Sequence, residues 1–267
     1  MPTLPACVGS VRNQTHQTFQ HLIQDGGSND GTVDWLNTQT GLDWSSEHDS
    51  GMYDAINRAW ERSSGDIISW LNADEQYLPH TLQMVKNTFD NYPCVDAVYG
   101  NCILVDARGR TLSSRREIRL RKWYIANGIL YPQSCTAFFR KSLIKKIGGF
   151  NPSYKIAGDL EWILRLLSAG IKTIHIPYHL GIFAIDSYNL SLNPRAYKEI
   201  QSIRETYGGY SSAIARSLPR FLRYLEKAFT GAYFPKRVTY QYTKNEFGAF
   251  EIKSDIAWPF WKWNDKS

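Results

Sequence analysis

The sequence predicts an α/β fold in which a mixed, mostly parallel sheet carries helices on both faces. The apolar run at residues 67–71 fits a strand covered on both sides. Around it lie helix-spaced apolar sets, Met52, Ile56, Ala59 and Trp60 before and Leu82, Val85 and Phe89 after. That strand then opens onto Asn72-Ala73-Asp74-Glu75, and ligands of open α/β sheets gather at the carboxyl ends of strands. At 267 residues, 43% hydrophobic and 21% charged, the chain belongs among globular proteins and outside the disordered class.

Composition narrows the function classes. Cys7, Cys94, Cys102 and Cys135 form no C-x-x-C pair, which argues against a cysteine metal cluster or a disulfide framework and for a reducing compartment. With no apolar run of about eighteen residues and no charged-then-apolar start, the protein is expected to be soluble and cytoplasmic. A net charge of +6 permits anionic partners without choosing among them. Nucleic acid is not expected, because the basic run Arg115, Arg116, Arg119, Arg121 and Lys122 lacks regularly interleaved aromatic platforms and reads as a solvated face or mobile loop.

In chain order, residues 1–7 contain Pro2 and Pro5 and are too short for both a strand and a full crossover helix. Residues 21–24 read as a short strand, followed by a glycine-rich turn from Asp25 to Thr32 and a helix carrying Val33 and Leu36. A carboxylate at a strand end can accept from a ribose hydroxyl or a base N–H, whereas Asp30 reads as a helix cap. After the turn at Asp49-Ser50-Gly51, the helix holding Met52 places Asp54, Asn57 and Arg58 opposite its apolar face. Asn72 and Asp74 either form a turn or offer hard oxygen ligands of the kind that suit Mg²⁺ or Mn²⁺. An ion would be required beside a diphosphate, since two unit charges about 4 Å apart interact by roughly 4 kcal/mol at an effective dielectric of about 20.

Pro79 starts the next helix, strands are expected at 95–99 and 103–105, and a turn at 106–109 closes them. Gln133 either lines an acceptor pocket or satisfies a backbone group. Gly148 or Gly149 ends a short helix, and Gly170 ends the helix whose apolar face is Trp162, Ile163, Leu166 and Leu167. Asp159 opens that helix and is either a cap or a general base. Residues 172–176 read as a strand stopped by Pro177. Beyond Pro194, a basic helix at 214–229 and Trp258, Trp261 and Trp263 either pack back onto the domain or rest on a membrane surface.

The stretch SEHDSGMYDAINRAWERSSGDIISWLNADE resembles the central segment of family 2 glycosyltransferases of the GT-A fold, and the resemblance extends over residues 10–192 in four segments. It implies a GT-A domain over 1–193 that lacks the first strand and its base-holding loop, with a helical and aromatic extension over 194–267. It also implies a nucleotide-sugar site at Asp25, Asp54, Asn57, Asn72 and Asp74, with Asp74 on Mg²⁺ or Mn²⁺. Asp159 becomes the catalytic base, with Glu161 supporting it and Gln133 on the acceptor side. The chain departs from the family pattern at Asn72 in place of Asp, Gly158 in place of Glu, and Ala184 and Asp186 where Arg and His are expected near Asn189-Leu190-Ser191. The implied activity is inverting sugar transfer from a nucleotide-diphosphate-sugar to an acceptor hydroxyl, in surface-polysaccharide or lipid-linked glycan assembly. The alternative is an impaired domain acting as a scaffold.

Overall fold

The computed structural model describes residues 3–128, 130–185 and 194–259. Helix α1 (Leu4–Arg12), with Pro5 in its first turn, bridges two layers. Leu4 and Val8 lie against Leu36, while Val11 joins Tyr77, Val85 and Phe89. Strand β1 (Leu22–Asp25), helix α2 (Thr32–Thr38) and strand β2 (Asp43–Ser46) follow, and β1 and β2 pair in parallel as a separate two-stranded sheet. Among the described residues no strand precedes β1.

Helix α3 (Met52–Arg62) leads to β3 (Ile67–Ile68), β4 (Gln76–Tyr77), α4 (Thr81–Asn91), β5 (Ala97–Asp106), β6 (Thr111–Arg115) and α5 (Lys122–Asn127). A 3-10 turn (Ser134–Thr136) then precedes β7 (Ala137–Arg140), α6 (Ser142–Ile147), α7 (Gly158–Ser168) and β8 (Thr173–Ile185). The main sheet runs β3-β7-β5-β8-β4, with β6 also on β5. It is mixed: β5 and β8 are parallel, and β3–β7, β5–β7, β4–β8 and β5–β6 are antiparallel. Antiparallel neighbours exceed what the apolar runs suggest because such a run reports coverage of both faces, not strand direction.

Three local expectations change. The strand expected over 67–71 pairs only at Ile67 and Ile68, since the Ser69 carbonyl accepts from Trp60 Nε1 at 3.0 Å. The strands expected at 95–99 and 103–105 are one ten-residue strand, β5. Pro177 does not stop β8: Gly100 pairs with Ile176 and Asn101 with His179, so Pro177 and Tyr178 bulge out of the ladder. Gly100 admits this bulge, because a β-carbon there would meet Leu180 at 2.4 Å. Gly148 and Gly170 stand just past α6 and α7 with left-handed backbones, as expected of helix stops.

An aromatic cluster fixes the elements that carry the site. Trp162 of α7 lies 4.7 Å from Phe139 of β7, 4.9 Å from Phe150 and 5.1 Å from Trp60 of α3, centroid to centroid. Helix α8 (Pro194–Thr206) adds Ile203 to this core, so residues past 193 share it. After α9 (Ser217–Phe229), strands β9 (Lys236–Thr243) and β10 (Phe250–Ala257) form an antiparallel hairpin within the segment expected to be helical and aromatic. The hairpin docks through Gln76, whose amide exchanges bonds of 3.0 and 2.9 Å with the Thr243 backbone. Trp258 is 59% exposed. Asp186, Asn189, Leu190, Ser191, Trp261 and Trp263 lie outside the described residues. Among the described residues no helix is long and apolar enough to cross a membrane.

Candidate active site

The first turn of α3 joins two of the loops expected to carry chemistry. On one side lies the loop after β1, pressed so close that a β-carbon at Gly26 would meet Asp49 Oδ2 at 2.7 Å. Asp25 is buried there: Oδ2 accepts from Gly27 N at 3.0 Å, Ser28 N at 2.9 Å and Ser46 Oγ at 2.6 Å, and Oδ1 from Ser28 Oγ at 2.5 Å. Burial pushes its pKa up, but these donors outweigh burial and hold the carboxyl below its ordinary value. Asp30 accepts from Thr32 N and Thr32 Oγ1, but the cap of α2 is Gly31, so Asp30 braces the turn one residue ahead of the cap position expected for it.

On the other side, Tyr53 donates to the Ile156 carbonyl at 2.8 Å and to Asp159 Oδ1 at 3.1 Å. Leu160 N also donates to Asp159 Oδ1, at 2.8 Å. Burial raises the Asp159 pKa above its ordinary value, and the bonds from Leu160 and Tyr53 only partly oppose it. The sequence alone suggests an ordinary Asp titrating near 3.9. A β-carbon at Gly158 would lie 2.7 Å from the Tyr53 ring, so the absence of a side chain there lets the tyrosine reach Asp159.

The loop leading to Asp159 is itself held from α8. Glu199 accepts from Lys155 N, Ile156 N and Ala157 N at 2.9–3.1 Å. Lys155 Nζ in turn donates to the Ser50 carbonyl, closing the loop onto α3. Neither Glu199 nor the role of Tyr53 was legible in the sequence: Tyr53 sits inside the quoted motif without a stated partner, and Glu199 lies beyond the resemblance.

A second group forms at the turn after β3. Glu75 N donates to the Asn72 carbonyl at 3.0 Å, which makes 72–75 the turn that Asn and Asp favour. The turn leaves Asp74 exposed and buries Glu75. Asn72 Nδ2 donates to Glu75 Oε1 at 3.1 Å and to Ser134 Oγ at 3.4 Å, and Ser134 Oγ donates to Glu75 Oε1. Burial and the neighbouring Asp74 push the Glu75 pKa up to about 8, against the bonds from Ser134 and Asn72. Gln133 caps the 3-10 turn beside Ser134, its N–H donating to Thr136 Oγ1 at 3.2 Å.

Several expected ligand contacts are engaged internally. Asn57 Nδ2 and Oδ1 bond the Phe150 carbonyl and N–H at 2.8 and 2.9 Å. Asp54 accepts from Ser50 N and pairs with Arg58 at 2.9 Å, bracing α3. Glu161 is buried, forks onto Arg165 at 2.9 Å and accepts from Tyr207 at 2.6 Å. Ala184 is half-buried on β8. Among the described residues no three His, Cys, Asp or Glu side chains are grouped to hold a metal. One exposed carboxylate at Asp74 still suits a Mg²⁺ or Mn²⁺ ion whose other ligands are substrate phosphates and water.

The profile described as Glycosyl transferase family 2 matches residues 1–148. A PGL/p-HBAD biosynthesis glycosyltransferase of Mycobacterium bovis is 29% identical over 171 residues, covering 62% of this chain and 64% of the relative, so the match spans less than two thirds of that protein. The chain is similar in fold to S. aureus TarS in complex with UDP-GlcNAc, with a TM-score of 0.60, 15% identity, and 84% and 68% of the two chains covered. It is likewise similar to the mannosyltransferase PcManGT of Pyrobaculum calidifontis in complex with GDP-Man and Mn²⁺, with a TM-score of 0.57, 16% identity, and 86% and 68% covered.

Proposed function

Because the chain belongs to glycosyl transferase family 2, we propose that it moves a sugar from a nucleotide-diphosphate-sugar to a hydroxyl of a glycan or lipid-linked acceptor, with inversion. The observation that carries this reading is the setting of Asp159. Tyr53 and Leu160 both donate to Oδ1, leaving Oδ2 to take a proton from an acceptor hydroxyl. As that proton moves to Asp159, the hydroxyl oxygen bonds the anomeric carbon, and the bond to the diphosphate breaks with its electron pair on the leaving oxygen. A carboxylate whose pKa is raised by burial is a stronger base than an ordinary Asp.

Asp74, exposed on its turn, is the proposed ligand of Mg²⁺ or Mn²⁺, with Asn72 beside it. Such an ion, when bound, neutralises charge on the leaving diphosphate. The fold likeness to a protein seen with GDP-Man and Mn²⁺ supports this choice. Asp25 and Gln133 are proposed at the nucleotide and the acceptor respectively. The four free cysteines fit a reducing compartment, and the cytoplasm is the proposed location.

The test is titration calorimetry with UDP-GlcNAc and GDP-Man, with and without Mn²⁺, followed by transfer assays. Asp159→Asn is expected to keep donor binding and lose roughly 10² to 10⁴ in rate. Asp74→Ala is expected to lose the metal-dependent part of donor binding. Transfer by Asp159→Asn equal to the parent removes the base assignment. A scaffold role is the second reading, favoured by the internal engagement of Asp54 and Asn57, and it calls for no metal-dependent heat with either donor.

A further inference from the structure

Helix α9 is turned inside out. Arg223 and Lys227 face inward, where the buried Glu117 receives them at 2.8 and 3.2 Å. The opposite face carries Ile214 just ahead of the helix, then Leu218, Phe221, Leu222 and Phe229, residues spaced to share one side. These are exposed by 85, 55, 56, 36 and 89%, and Phe234 in the following turn by 69%. A helix of this composition in a soluble domain normally buries its apolar stripe and hydrates its cations. Here Glu117 fixes the reverse arrangement.

The charge around the stripe is one-sided. Between Ile214 and Arg237 the chain has six cations, Arg216, Arg220, Arg223, Lys227, Lys236 and Arg237, and one acid, Glu226. Glu226 is already forked onto Arg121 at 3.0 and 3.1 Å. Arg220 is held on the inward side of the helix, its Nε donating to the Asn127 carbonyl at 3.0 Å, whereas Lys236 and Arg237 remain exposed just after Phe234.

We propose that α9 and the turn after it form a docking surface for an anionic lipid bilayer, with the apolar stripe entering the interface and Lys236 and Arg237 meeting the headgroups. Apolar side chains flanked by cations are what an interfacial segment needs, and a bilayer, unlike a folded partner, requires no matching shape. The surface stands on α9 and the turn after it and does not depend on the transfer reading.

The experiment is co-sedimentation of the full chain with phosphatidylcholine vesicles and with vesicles that also contain phosphatidylglycerol, at low and high salt. The chain is expected to bind the phosphatidylglycerol vesicles, more weakly at high salt. The double substitution Leu218→Ser/Phe221→Ser should weaken this about tenfold or more. Both side chains are exposed, so thermal unfolding should be unchanged and the loss cannot be assigned to misfolding. Lys236→Glu/Arg237→Glu should weaken binding only to the anionic vesicles. No binding to phosphatidylglycerol vesicles, or binding that the Leu218/Phe221 pair leaves unchanged, overturns the proposal. So does a dimer in sedimentation velocity, dissolved by that same pair without vesicle binding, which gives the face to a second copy of the chain.

Discussion

Asp159 combines two demands on one side chain, and the structure separates them. Its folded pKa is raised, so the native state holds the proton more tightly than the unfolded chain does. The stability it contributes is therefore complete below the unfolded value of about 3.9 and is lost as pH rises through the folded value. Above that folded value the buried carboxylate destabilises the fold, so the unfolding temperature of Asp159→Asn should gain on that of the parent as pH is raised from 4. By the same sign, the acid limb of the pH–rate profile should lie above the ordinary Asp range. Gly158 is the neighbouring control. Gly158→Ala forces a β-carbon toward the Tyr53 ring, which should cost about 1–3 kcal/mol in denaturant unfolding and lower transfer by displacing Tyr53 from Asp159. The identity of Asp159 was readable from its motif, but its pKa was not, because Tyr53 lies 106 positions away in sequence.

At the scale of elements, the segment before α7 has no regular structure of its own and borrows its order from α8. Three successive N–H groups converge on Glu199, whose carboxyl burial would push up in pKa and these backbone bonds hold down. That contribution is present above the unfolded Glu value of about 4.3 and is lost as pH falls through the depressed folded value. Glu199→Ala should cost roughly 1.5–3 kcal/mol at pH 7, measured by urea unfolding, and should slow transfer without abolishing donor binding. Helix periodicity predicted α3, α4 and α7 well, because the 3.6-residue repeat is written locally. The strands were less legible. β8 passes Pro177 only because β5 offers Gly100 opposite, and no local pattern records that pairing.

Across the whole molecule, Glu117 ties the loop after β6 to α9. Three cations surround it, Arg115 at 3.4 Å, Arg223 at 2.8 Å and Lys227 at 3.2 Å. Burial works against the Glu117 carboxylate, and the surrounding cations outweigh it and keep its pKa low, while burial lowers Lys227 to about 8. Breaking a buried pair by removing one partner leaves the others uncompensated, so Glu117→Ala should cost about 3–5 kcal/mol and expose α9 to limited proteolysis.

The sequence by itself determined the α/β class, the faces of α3, α4 and α7 and the identity of the acids worth testing, since each is a matter of local spacing and residue chemistry. Strand order, the separate β1–β2 pair and the hairpin after α9 were decided by tertiary structure, as were the internal partners of Asp25, Asn57 and Glu161. The physical reason is range. A helix turn is written within four residues, whereas a buried charge acquires its meaning from whichever distant side chain the folded chain brings within about 3 Å of it.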